Sequence, residues 1–115
     1  MMKFWLISLL ACLALSQVHA CTAPCPDTEE LVWAVGPRGG GGCMVFRNMC
    51  HFTKANCTRK PPLTEVTKEE CQKRCPSICP QNYDPVSGFY KGQERKFGNA
   101  CEMSVHTCQT GEIFD

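Results

Sequence analysis

Long apolar runs are scarce in this chain. The main one, Phe4 to Leu15, spans about 12 residues, short of the roughly 18 to 20 that cross a bilayer. No later segment approaches that length, so no membrane anchor is expected. An excess of either charge is also missing: residues 21–115 hold 11 lysines and arginines against 11 acidic residues, and neither sign gathers into a block. Nucleic acid and anionic membrane are therefore not suggested as partners. The glycine run at 39–42 lacks the Gly-Lys-Ser/Thr ending of a phosphate loop and reads as a hairpin tip. No Ser/His/Asp or Cys/His arrangement points to catalysis, so neither an enzyme nor a cofactor is expected.

Cysteine is what the chain has in plenty: 11 of 115 residues. Residues 1–20 carry one early lysine, Lys3, the apolar run, and small residues at Val18 and Ala20, the pattern of a cleaved secretory signal peptide. Val18-His19-Ala20 is a poor lipobox, so lipidation of Cys21 is not expected. Cys12 leaves with the leader, and 10 cysteines remain in a secreted product, where bridges form and persist. Extracellular location and a monomer are the expectation. Zinc could be drawn on Cys71-x3-Cys75-x3-Cys79 with His51 or His106, but secretion favours disulfides, and no metal site is expected.

The cysteines come in two matching sets. Cys21-x3-Cys25-Pro followed by Phe46-x-Asn48-x-Cys50-x6-Cys57 repeats as Cys75-x3-Cys79-Pro followed by Phe97-x-Asn99-x-Cys101-x6-Cys108. Units of about 50 residues bury too little apolar surface to be stable without staples. The expected organisation is unit 1 over 21–71, a link over 72–74, and unit 2 over 75–115. Within unit 1, Leu31 to Val35 reads as a strand, Cys43 to Phe46 as its return, Asn48 to Cys57 as a helix and Leu63 to Val66 as a third strand. Both helices carry cysteines seven residues apart, about two turns, on one face. Asn48 and Asn99 stand at their N-caps, with Glu102 at capping-box spacing from Asn99. In unit 2, Tyr83 to Val86 is expected as a strand, Gly88 to Gly92 as the turn and Arg95 to Phe97 as the return, with the ending truncated. His51 and His106 are expected to face solvent.

Ten cysteines allow on the order of 900 pairings, and spacing alone does not choose among them. The motif Cys75-x3-Cys79-Pro-Gln-Asn-Tyr83-Asp-Pro85-Val86, followed by Phe97-Gly-Asn99-Ala-Cys101-x6-Cys108, resembles the Kazal-type serine protease inhibitor family in its longer-spaced, follistatin-like form. The resemblance implies a small disulfide-rich α+β fold: two tandem Kazal-like units, each a short helix packed on a small antiparallel sheet. It further implies the pairs Cys21–Cys57 and Cys25–Cys50 in unit 1, and Cys75–Cys108 and Cys79–Cys101 in unit 2. The family's third cysteine position holds Trp33 in unit 1, leaving Cys43 as the spare partner for Cys71. In unit 2 that position is Ser87 and the sixth cysteine is missing, so one bridge is absent whole.

The resemblance also implies a function, inhibition of an extracellular serine protease through a substrate-like loop. The reactive bond would be Gln81-Asn82 in unit 2, with Tyr83 and Asn99 as loop support. In unit 1 the matching bond is Asp27-Thr28, with Asn48 as support; aspartate there is refused by the common trypsin-, chymotrypsin- and elastase-like pockets. The alternative is a non-inhibitory extracellular binding module on the same scaffold. Asn56-Cys57-Thr58 is formally a glycosylation sequon at Asn56.

Overall fold

The computed structural model describes residues 21–37 and 42–115; the expected signal peptide and most of the glycine run lie outside the described residues. The stretch expected as unit 1 holds strands β1 (Val32–Val35) and β2 (Cys43–Phe46), helix α1 (Met49–Asn56), strand β3 (Thr64–Val66) and a short helix α2 (Lys68–Gln72), whose last residue lies in the expected link. The stretch expected as unit 2 holds strands β4 (Val86–Tyr90) and β5 (Gln93–Phe97) and helix α3 (Ala100–Thr110).

The run Val32-Trp33-Ala34-Val35 is apolar at every position because β1 is the central strand of the order β2-β1-β3 and is buried on both faces. Its alternating side chains build two cores. Val32 and Ala34 pack with Phe52 of α1 and Leu63, and the Phe46 and Phe52 rings meet edge-on at 5.5 Å. Trp33 and Val35 face the other way, onto Cys71 of α2, with Cys43 and Val45 alongside. Cys43 pairs with Val35 across the antiparallel ladder and so points to the same face as Trp33. That register lets Cys43 reach Cys71, which is fully buried, although Trp33 fills the position where the resemblance would place a cysteine.

Among the described residues five bridges form, Cys21–Cys57, Cys25–Cys50, Cys43–Cys71, Cys75–Cys108 and Cys79–Cys101, the pairs that the resemblance implies. Each closes a loop of 22 to 36 residues; closures of this size contribute roughly 3 kcal/mol by chain entropy. The fold is thus small, disulfide-rich and α+β, with each short helix on a small antiparallel sheet.

Unit 2 departs from expectation in three places. The first strand starts at Val86, not at Tyr83, because Pro85 has no N–H to give a ladder. The turn is Lys91-Gly92, both at positive φ (50° and 80°), a two-residue hairpin loop that needs left-handed backbone. Gly88 lies inside β4, where its missing side chain admits Phe114: a Cβ there would sit 2.6 Å from the Cβ of Phe114. Finally, the tail is not without a strand pairing, since Asp115 exchanges both backbone hydrogen bonds with Phe89 (2.9 and 3.2 Å). Asp115 follows Cys108 by seven residues, as Thr64 follows Cys57, and each pairs with the same place on its central strand. The rings of Phe114, Phe97, Tyr90 and His106 cluster behind this pairing at 5.2 to 5.9 Å.

The histidines are not simply solvent-facing. His106 is half-buried in that cluster with Nε2 2.7 Å from Glu112, and His51 Nε2 is buried without a hydrogen-bond partner among the described residues.

The two units touch. Gly111, the left-handed C-cap of α3, abuts Leu31 and Trp33, and Gln72 Nε2 donates to the carbonyl of Gln109 (2.9 Å). Arg47 pairs with Asp115.

Candidate functional site

Two loops, Cys25 to Glu30 and Cys79 to Asp84, are held in the same manner. Each begins at a cysteine bridged to the first turn of a helix, Cys25 to Cys50 and Cys79 to Cys101. Each ends at a backbone bond to the residue just before the helix cap, from Glu30 N to Arg47 O (2.8 Å) and from Asp84 N to Gly98 O (2.9 Å). Between these anchors one asparagine ties the loop down.

In unit 2, Asn99 Nδ2 donates to the carbonyls of Pro80 (3.1 Å) and Asn82 (2.9 Å), on either side of Gln81. Its Oδ1 accepts from Glu102 N (2.9 Å), capping α3. The side chain is 5% exposed, and both amide hydrogens and the oxygen are used. Only an amide serves both ends at once: aspartate could cap but not donate. In unit 1, Asn48 Nδ2 donates to the carbonyls of Pro26 (2.9 Å) and Thr28 (2.9 Å) and reaches Thr28 Oγ1 at 3.3 Å, while Oδ1 accepts from His51 N (3.1 Å). Cap and loop tie therefore coexist in both copies.

The residues between the ties are exposed: Pro80, Gln81 and Asn82 in unit 2, and Pro26, Asp27 and Thr28 in unit 1. Tyr83 does not brace the loop from within, since it is 85% exposed; the brace on that side is the Asp84 to Gly98 backbone bond. Ile78, on the other side of Gln81, is 86% exposed. The capping arrangement also differs from a strict capping box, because Glu102 Oε2 accepts from Gly98 N (2.9 Å), one residue ahead of the cap. Asn56, the sequon residue, is occupied structurally: Nδ2 donates to Leu63 O (3.1 Å) and Oδ1 accepts from Leu63 N (2.7 Å), which seats Leu63 in its core.

The sulfurs of Cys43, Cys75 and Cys108 lie within 4.8 Å of one another, yet each is in a bridge and has no thiolate to offer a metal. The pKa of Glu70 is lowered by its hydrogen bond to Lys73 and by that residue's charge, on α2 and outside both loops. Helix α2 is an element that the cysteine and strand patterns do not announce. Its local signal is Thr67-x-x-Glu70, with Thr67 Oγ1 accepting from Glu70 N (3.2 Å).

No family model matches the chain. No solved structure matches it either. Among curated proteins it is similar to a U-Kazal protein of Dolopus genitalis, 28% identical over 101 residues, which cover 76% of this chain and 50% of that protein. It is also similar to Vasotab of Hybomitra bimaculata, 39% identical over 46 residues, covering 36% of this chain and 60% of that one. The chain spans about half the length of the curated relatives it matches. No helix of the described residues is long and apolar enough to cross a membrane. In its motifs, its bridge pattern and its curated relatives alike, the chain resembles the Kazal-type serine protease inhibitor family.

Proposed function

We infer that the chain is a secreted inhibitor of serine proteases, acting through Gln81-Asn82, with units 21–71 and 75–115 joined by 72–74. The observation that carries this reading is the double hydrogen bond from Asn99 Nδ2 to Pro80 O and Asn82 O. A protease serine attacks the carbonyl of Gln81, and the amine of Asn82 is the leaving group. In an ordinary substrate that amine diffuses away and water completes the hydrolysis. Here Cys79–Cys101 and the tie to Pro80 hold the acyl side, while the tie to Asn82 and the Asp84 to Gly98 bond hold the amine side. The amine stays within reach of the acyl carbon, so the peptide bond re-forms and the enzyme remains occupied. Because the loop is ordered at folding, binding does not bear that entropy again.

Ile78 and Tyr83, exposed on either side of Gln81, are the apolar side chains such a partner would cover. A protease with apolar subsites on both sides of its cleft and a primary pocket that admits a neutral amide fits this loop; subtilisin-like enzymes belong in the test. The chain acts as a ligand of an enzyme and not as one.

The test is a panel of trypsin-, chymotrypsin-, elastase- and subtilisin-like proteases mixed with residues 21–115. The expected outcome is a stable one-to-one complex with at least one member, with Gln81-Asn82 cut slowly if at all. Rapid cleavage there by every enzyme, or no interaction with any, favours the non-inhibitory binding module.

A further inference from the structure

We propose that unit 1 is a second inhibitory head, offering Asp27-Thr28 to a serine protease that cleaves after aspartate. This rests on reading the unit 2 loop as substrate-like, because unit 1 holds its own loop by the same three devices. Cys25–Cys50 anchors the acyl side, Asn48 Nδ2 ties the carbonyls of Pro26 and Thr28, and Glu30 N closes onto Arg47 O. The Tyr-x-Pro sequence of unit 2 is replaced by Glu29-Glu30-Leu31, yet the hold is retained. Tyr83 makes no internal brace in unit 2, so its absence from unit 1 removes no support.

The side chain between the two tied carbonyls is Asp27, and it is exposed. Its charge selects the partner. An apolar pocket would strip the carboxylate of water without compensation, and a pocket with an acidic floor would repel it. A pocket holding arginine or lysine gives it charge-assisted hydrogen bonds. Glu29 and Glu30 follow directly and are exposed, so three of four consecutive residues, 27 to 30, present negative charge to the cleft. A protease with a basic primary pocket and a basic rim is complementary to all three, and steering by such charge falls as salt is raised. The chemistry is that of unit 2: the protease serine adds to the carbonyl of Asp27, the amine of Thr28 leaves, and its tether returns it to the same carbon with release of the serine.

The experiment titrates residues 21–115 against a serine protease with arginine in its primary pocket that cleaves after aspartate, read on a small chromogenic aspartyl substrate. Equimolar inhibition is expected, weakening about a hundredfold in Asp27→Asn and weakening again as salt rises. Turnover of the chain at 27–28 as an ordinary substrate, or no effect on the enzyme, overturns the proposal. In parallel, Asp27→Arg is tested against trypsin, with five intact bridges checked by mass. Inhibition is expected; digestion overturns the second head by showing that the loop is not held against hydrolysis. If Asp27→Arg blocks trypsin while the unaltered chain spares the aspartate-directed enzyme, the substrate class is overturned and the loop mechanism survives. Gln81→Arg against trypsin reads the unit 2 loop separately, so failure of the proposed function is told apart from failure of this inference.

Discussion

Phe114 occupies the space that a side chain on residue 88 would need, its Cβ lying 2.6 Å from where a Cβ on Gly88 would be. Gly88 corresponds to Ala34 of unit 1, which is fully buried, and Phe114 corresponds to Leu63, so both units close their core with a small strand residue under a large apolar one. Gly88→Ala should expel the tail and destabilise unit 2 by about 1 to 3 kcal/mol, as overpacking does. Denaturant unfolding measures the loss, and amide exchange at Phe89 and Asp115 should accelerate together.

Unit 2 should open before unit 1. It has two bridges where unit 1 has three, and β5 is exposed along four of its five residues. The absent bridge is worth roughly 3 kcal/mol by loop entropy. The aromatic cluster and the Asp115 to Phe89 pairing offset part of that deficit. Hydrogen exchange should show β4 and β5 amides less protected than β1 and β2; equal protection would mean that the offset is complete.

The cap and the loop tie at Asn99 can be separated by chemistry. Serine caps a helix about as well as asparagine but is too short to span two loop carbonyls. Asn99→Ser should therefore leave α3 helicity by circular dichroism nearly unchanged. Protease affinity should fall by about 1 to 3 kcal/mol, with faster cutting at 81–82, because two buried hydrogen bonds are lost.

Gln81→Arg should turn unit 2 into a trypsin inhibitor. The residue between the tied carbonyls alone enters the primary pocket, and a paired guanidinium there gains several kcal/mol over an amide, about 1.4 per tenfold in affinity. The inhibition constant against trypsin is the measurement. A variant that is digested without inhibiting would remove the unit 2 mechanism.

Gly111→Ala should loosen the contact between units. The residue caps α3 at φ 81°, and an added Cβ would lie 3.0 Å from Leu31 and 3.2 Å from Trp33. Left-handed backbone costs a non-glycine residue roughly 1 to 2 kcal/mol. Thermal unfolding should start lower, with Trp33 fluorescence reporting its exposure.

How far the chain can be read before folding depends on whether each signal is local. The strand at Val32–Val35 is legible because an unbroken apolar run bounded by turn residues leaves few alternatives, and the helices because cysteines seven apart share a face. Gly88 misleads because glycine marks turns and close approaches alike, and only the position of Phe114, 26 residues away, tells which. Tyr83 looks like support because its motif suggests a partner, whereas its ring meets solvent. The loop ties at Asn48 and Asn99 depend on long-range placement, 17 to 22 residues from donor to acceptor. From the chain alone each is equally an N-cap, and each is both.

The closeness of the sulfurs of Cys43, Cys75 and Cys108, within 4.8 Å of one another, bears on how the chain is made. In the folded chain the Cys43–Cys71 bridge therefore lies against the Cys75–Cys108 bridge, and a thiolate freed from either has a sulfur of the other within reach for thiol–disulfide exchange. A Cys43–Cys75 or Cys43–Cys108 crosslink would leave Cys71, which the native fold buries completely, without its partner. Recombinant material oxidised without a shuffling agent should therefore contain some species crossed between these two bridges, which burial of Cys71 in its native pairing disfavours.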